Sequence, residues 1–244
     1  MSDNGGEVVM NERLTKILEI LEREKYCTTE YLANTLYVVP ATIRRDLKKL
    51  EQQGLVTRNY GGVSIISHSN RHVPYVVRQN ANNSIKANLA KEAIKLISDG
   101  STIFLDASTT VSYIAELLTP NQNVTVITSS IKVASILSQK NLKTYCTGGR
   151  LINSSQSLVG TLAGSAIETL SADIFFFSSQ GIELNGNITD FSESETQVRK
   201  SMLARSKKSY FVGDSSKIGK VFLFSVCNVK DITGVICDKD IKFQ

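Results

Sequence analysis

The sequence predicts an α/β protein in two parts, a small winged helix-turn-helix followed by a larger domain built on a mostly parallel sheet. Three observations carry this. Within the first 66 residues, three short helical patterns lead into an alternating strand, a turn and a second strand. A polar, Asn-rich stretch containing Pro74 follows. From about residue 84, strand-length apolar runs alternate with helical ones, the order that builds parallel sheets. The chain of 244 residues exceeds the usual single-domain size. It divides into residues 1–66, a linker at 67–83 and a second domain at 84–244.

Composition excludes several classes. Hydrophobic residues make up 41% and charged residues 21%, as in ordinary globular proteins. No apolar run approaches the roughly 20 residues that cross a bilayer. The start, MSDNGGEVVM, lacks the basic and apolar regions of a signal peptide, so a cytoplasmic location with no membrane contact is expected. Cys27, Cys146, Cys227 and Cys237 lie far apart without CxxC spacing, which reads as reduced packing residues, with no metal and no cofactor expected. The net charge is +5, yet residues 1–68 carry nine basic and nine acidic residues, so a basic surface there must come from clustering.

In the first part, Asn11 reads as the cap of a helix whose Leu14, Ile17, Leu18 and Leu21 fall on one face. A second helix starts at Thr28 or Thr29, with Glu30 favourable to its dipole and Leu32 and Leu36 facing inward. The third opens at Pro40, carries Ile43, Leu47 and Leu50 as its inner stripe, and stops at Gly54. Its outer face holds Arg44 and Lys48 four residues apart, and Arg45 and Lys49 likewise. Such pairs destabilise an isolated helix by about 0.2–0.5 kcal/mol each, an arrangement that makes sense when a polyanion covers the face. Residues 55–58 and 63–66 alternate like strands around the turn Asn59-Tyr60-Gly61-Gly62. In a winged helix-turn-helix, the third helix enters the major groove of double-stranded DNA.

The segment TIRRDLKKLEQQG followed by RNYGG resembles the DNA-binding signature of DeoR-type bacterial repressors, V-S-x-x-T-I-R-R-D-L-x-x-L-E-x-x-G-x-x-x-R-x-H-G-G. Val39 stands in place of the serine cap, and Tyr60 replaces the wing histidine. The resemblance implies that Thr42, Arg44, Arg45, Lys48 and Lys49 contact operator DNA, with Arg58 and Tyr60 at the wing. Asp46, which phosphate would repel, is expected to orient a neighbouring arginine.

In 67–83, His68 and His72 read as exposed linker residues. The second part opens with helix 85–98, then strand 102–106, helix 110–118, strand 124–128 and helix 131–137. Further strands are expected at 142–146, 174–177, 210–213 and 233–237, and helices near 157–170 and 194–206. Ligands in such sheets bind at the carboxyl ends of strands. Four of those ends are rich in hydroxyls, glycine or charge. Asp106 to Thr110 includes Ser108 and Thr109, offering hydroxyls and free N–H groups to a phosphate or sugar. Thr128-Ser129-Ser130 repeats the design; Thr147-Gly148-Gly149-Arg150 allows close backbone approach beside a cation; and Asp214-Ser215-Ser216-Lys217 closes the set.

This half is similar to the family's sensor domain, related in fold to ribose-phosphate isomerases and CoA transferases. DASTT stands where the family has D-x-G-T-T, and TSS where it has T-N-S, while the G-G and D-x-S-K elements match. The resemblance implies a phosphorylated sugar effector, with Asp106 accepting sugar hydroxyls, Lys217 meeting the phosphate and Glu195 near the same pocket. Glu193, Glu195, Arg199 and Lys200 also raise an isomerase-like enzyme with an accessory nucleic-acid module as the alternative. Against it, Glu195 and Arg199 make an ordinary i,i+4 pair, and a fold confers no activity. Paired modules on half-sites further imply a homodimer or homotetramer.

Overall fold

The computed structural model describes residues 4–52, 55–59, 62–65 and 75–243. By internal contacts the chain forms two units, residues 1–81 and 82–244.

The first unit opens with α1 (Asn4–Glu24). Asn11, expected as its cap, lies inside the helix: no proline interrupts the residues before it, and extending a formed helix adds one hydrogen bond per residue. The short β1 (Tyr26–Thr28) leads to α2 (Thr29–Thr35), capped by Thr28, whose Oγ1 accepts from the Tyr31 N–H at 3.1 Å. Tyr37, 94% exposed, turns the chain at φ 54°, a left-handed conformation that costs a side-chain-bearing residue about 1–2 kcal/mol. Next, α3 (Pro40–Gln52) begins on its proline and buries Ile43, Leu47 and Leu50, as its spacing predicts. The expected stop at Gly54 lies outside the described residues. Strands β2 (Val56–Asn59) and β3 (Gly62–Ile65) pair antiparallel, and β1 joins the far side of β3, a third strand too short for the sequence pattern to reveal. The span 67–83, expected as linker, contains α4 (Tyr75–Asn80), which packs on α1 and buries Tyr75. His68 and His72 lie outside the described residues.

The second unit runs α5 (Asn83–Ile94), β4 (Thr102–Leu105), α6 (Thr109–Leu117), β5 (Thr125–Thr128), α7 (Ile131–Gln139) and β6 (Lys143–Cys146). There follow β7 (Arg150–Ile152), β8 (Ser157–Val159), α8 (Thr161–Glu168), β9 (Ala172–Phe177), β10 (Gly181–Ile182) and β11 (Asn187–Asp190). The chain continues through α9 (Glu193–Ala204), β12 (Ser206–Val212), β13 (Phe224–Asn228) and β14 (Gly234–Ile236). Six strands form a wholly parallel sheet in the order β14-β12-β9-β4-β5-β6. Side chains alternate across it. Ile103, Leu105 and Phe176 join the core beneath α5, α6 and α7, while Phe104, Phe175 and Phe177 pack with residues of α8, α9 and the small antiparallel sheet β10-β11-β13. The helix expected near 157–170 starts only at Thr161. Ser157–Val159 is instead a strand paired with β7, and Gly160, at φ 93°, separates the two.

Candidate functional site

On α3 the buried stripe turns the basic residues outward. Arg44, Arg45 and Lys48 are exposed, while Thr42 and Lys49 are half-buried. Two weak surface pairs sit among them, Arg44 to Glu30 at 4.0 Å and Arg58 to Glu51 at 3.8 Å. Exposed pairs of this kind contribute little and yield to phosphate. Tyr60 lies outside the described residues. Asp46 is fully buried and holds an arginine, though the partner is Arg13 of α1, whose Nε donates to it at 2.5 Å. The carboxylate therefore fixes the basic helix to α1.

In the second unit the strand ends converge on one buried cluster. Arg199 of α9, whose side chain is only 6% exposed, donates through Nε to Asp106 at 2.9 Å and through Nη1 to Asp190 at 3.0 Å, and lies 3.6 Å from Glu195. Three carboxylates share one guanidinium. Burial disfavours its charge, but Asp190, Asp106 and Glu195 outweigh that and raise its pKa above the ordinary arginine value. Backbone N–H groups of Ser108 and Ser178 donate to Asp106, the Ser192 N–H and Ser179 hydroxyl donate to Asp190, and the Ser157 hydroxyl donates to Glu195 at 2.7 Å. Asp106, Ser129, Glu195, Arg199 and Ser157 line a cavity of about 10 Å³, at the threshold for a single water.

Other expected residues serve the frame around this cluster. Ser108 and Ser130 cap α6 and α7, their hydroxyls accepting from the Val111 and Val133 N–H groups at 3.2 Å. Thr109 and Thr110 are buried in the first turn of α6. Gly148 and Arg150 are exposed, and a side chain at Gly149 would meet the Val159 carbonyl oxygen at 2.5 Å, so that glycine serves close packing. Lys217 donates through Nζ to the carbonyl of Ser179, the same residue that holds Asp190. Lys200 is exposed while Glu195 is buried, so they occupy different faces of α9 and do not form an acid/base pair.

Sequence reasoning missed Asp190, Ser157 and Ser179, which sit on or beside short antiparallel strands with no distinctive period. It also missed Lys86, 4% exposed in the first turn of α5. Lys86 and Lys217 both act on Asp214. Burial pushes the Asp214 carboxyl up, but hydrogen bonds from Ser216 and the two ammonium groups hold it below its ordinary value. With the folded pKa below the unfolded value of about 3.9, this stabilisation is complete above that pH and is lost as pH falls through the folded pKa. Asp214→Asn is therefore expected to flatten the decline of stability below about pH 4, which melting curves at pH 6 and pH 3 would measure.

Comparison with known proteins agrees with both halves. Residues 13–69 match the model of the DeoR-like helix-turn-helix domain, and residues 81–239 that of the DeoR C-terminal sensor domain. The chain is 34% identical over 232 residues to the HTH-type transcriptional regulator YulB of Bacillus subtilis, covering 95% of this chain and 90% of that one. It is 30% identical over 240 residues to the lactose phosphotransferase system repressor of Staphylococcus epidermidis, covering 94% and 92%. Among solved structures it is similar to ribose 5-phosphate isomerase A of Methanocaldococcus jannaschii, with TM-score 0.44 and 20% identity over 57% of this chain and 56% of that one.

Proposed function

The chain belongs to the DeoR family of transcriptional regulators, and from that premise we propose that it represses a carbohydrate-utilisation operon under the control of a phosphorylated sugar. It is a DNA-binding regulator and not an enzyme. The observation that carries the reading is one chain holding an exposed basic face on α3 and, in a separate unit, a polar cluster assembled at parallel strand ends. In this reading Thr42, Arg44, Arg45, Lys48, Lys49, Arg58 and Tyr60 engage double-stranded operator DNA.

The effector lies against the strand-end loops. Asp106, Ser108, Thr109, Thr110, Ser129 and Ser130 meet its hydroxyls together with Glu195, while Gly148, Gly149, Arg150 and Lys217 face its charged end. Residues 1–66 read DNA, 84–244 sense, and 67–83 join them. The protein acts in the cytoplasm as a homodimer or homotetramer, because one small module makes limited contacts and two on half-sites about 34–36 Å apart gain affinity through linkage.

A ligand shifts DNA binding only by its differential affinity for two states, typically about 1–3 kcal/mol. Sequencing genomic DNA captured by the protein, followed by titration of the captured site with sugar phosphates, tests the reading. The captured site is expected to adjoin carbohydrate genes, and one sugar phosphate to change the affinity about 5- to 150-fold. Lys217→Ala should bind the site and lose that response. Turnover of a sugar phosphate at enzyme-like rates, or DNA binding insensitive to salt, would overturn it.

A further inference from the structure

The cavity at the charged cluster, about 10 Å³, is far smaller than the pockets of roughly 300–1,000 Å³ that hold small-molecule ligands. A neighbouring cleft between α8 and α9 measures about 330 Å³. Val198 lines both spaces, so one aliphatic side chain forms a wall common to the cluster and the cleft. Helical spacing on α9 accounts for this. Glu195, Val198 and Arg199 point toward the cluster, and Ser194, Gln197 and Ser201 point into the cleft.

On the opposite wall, Gly164 sits within α8, where glycine is less stable than alanine by about 0.5–1 kcal/mol. Neither backbone nor packing demands it. Its φ is not positive, and a Cβ built there would have no neighbouring atom within 4 Å. What the glycine keeps is open space in the cleft. The polar groups around that space are the hydroxyls of Thr161, Ser194 and Ser201, the Gln197 amide and the Glu193 carboxylate, with no cation among them. Hydroxyls and an amide suit a polyhydroxylated group, and the carboxylate repels phosphate.

We propose that the α8–α9 cleft receives the end of the effector's carbohydrate portion that extends beyond the hydroxyls met by the strand-end residues, with Gly164 and Val198 setting the size of sugar admitted. This rests on the phosphorylated-sugar reading above. The test is Gly164→Leu, studied by calorimetric titration and thermal melting of the full chain with glucose 6-phosphate, fructose 6-phosphate, galactose 6-phosphate, ribose 5-phosphate and inorganic phosphate.

The variant should melt at or above the temperature of the unmodified chain, while affinity for whichever sugar phosphate binds best falls at least tenfold. Inorganic phosphate, which lacks the carbohydrate portion, should bind both chains alike. Equal sugar-phosphate affinity in the two chains overturns the cleft assignment and leaves the broader reading standing. A changed sedimentation coefficient in Gly164→Leu also overturns it, since the cleft would then be an interface between copies. If no sugar phosphate binds the unmodified chain, both the assignment and the reading beneath it fall.

Discussion

Replacing Arg199 with methionine is expected to destabilise the sensor unit by about 3–5 kcal/mol, the range for removing one partner from a buried ion pair. The arginine side chain is 6% exposed and serves three carboxylates whose own exposure is 7% or less. Methionine fills similar space and donates no hydrogen bond, so Asp106, Asp190 and Glu195 would lose this guanidinium and keep the neutral donors of Ser108, Ser178, Ser192, Ser179 and Ser157. Desolvation of the carboxylates persists while the attraction that offsets it is gone. For a unit of this size, each kcal/mol moves the melting temperature by about 2–4 °C, so a fall of roughly 6–20 °C follows.

Arg199→Lys should fall between the two chains. It restores the charge but not the planar fork that reaches Asp106 and Asp190 at once. A melting temperature for Arg199→Met within about 2 °C of the unmodified chain would mean that the cluster is hydrated and the pairs are weak.

This cluster is also where the sequence was least informative. Arg199 and Glu195 are legible as a helical pair because they are four apart, but Asp106 lies 93 residues from Arg199 and reaches it only once β4 and α9 are placed. Asp190 is nearer in sequence yet belongs to β11, a four-residue strand in a small antiparallel sheet that leaves no periodic trace. The parallel strands are another matter. Buried on both faces, β4 and β9 carry the unbroken apolar runs 103–105 and 174–177, and the serine caps after β4 and β5 mark where those two strands end. Ser157–Val159 misled because its apolar residues continue the spacing of α8, and only the break at Gly160 separates strand from helix. At the other end of the chain, α3 was legible because proline, a three-leucine/isoleucine stripe and paired cations all fall on one period.

Changing Arg44, Arg45, Lys48 and Lys49 together to alanine is expected to lower affinity for the mapped operator at least 100-fold near physiological salt, while the fold becomes no less stable. The two effects have opposite signs for one reason. The cations form like-charged pairs four residues apart on a helix, each unfavourable by about 0.2–0.5 kcal/mol, and alanine is the best helix former. The pair that Arg44 makes with Glu30, at 4.0 Å between exposed side chains, offers little to lose. On DNA the same four charges displace condensed counterions, and each phosphate contact contributes about 0.9 to the slope of log affinity against log salt, so up to about 3.6 of that slope should vanish.

Single substitutions divide the work. Arg45→Ala should cost about 1–3 kcal/mol on the operator alone if it reads a base, and Lys49→Ala should weaken operator and unrelated duplex alike. Fluorescence anisotropy across salt concentrations, with melting curves on the same samples, measures both effects. Unchanged operator affinity in the fourfold variant would remove α3 from the DNA interface. Affinity lost together with stability would mean instead that the face is needed for the fold. Asp46 points to the first separation, because its buried hold on α1 runs through Arg13.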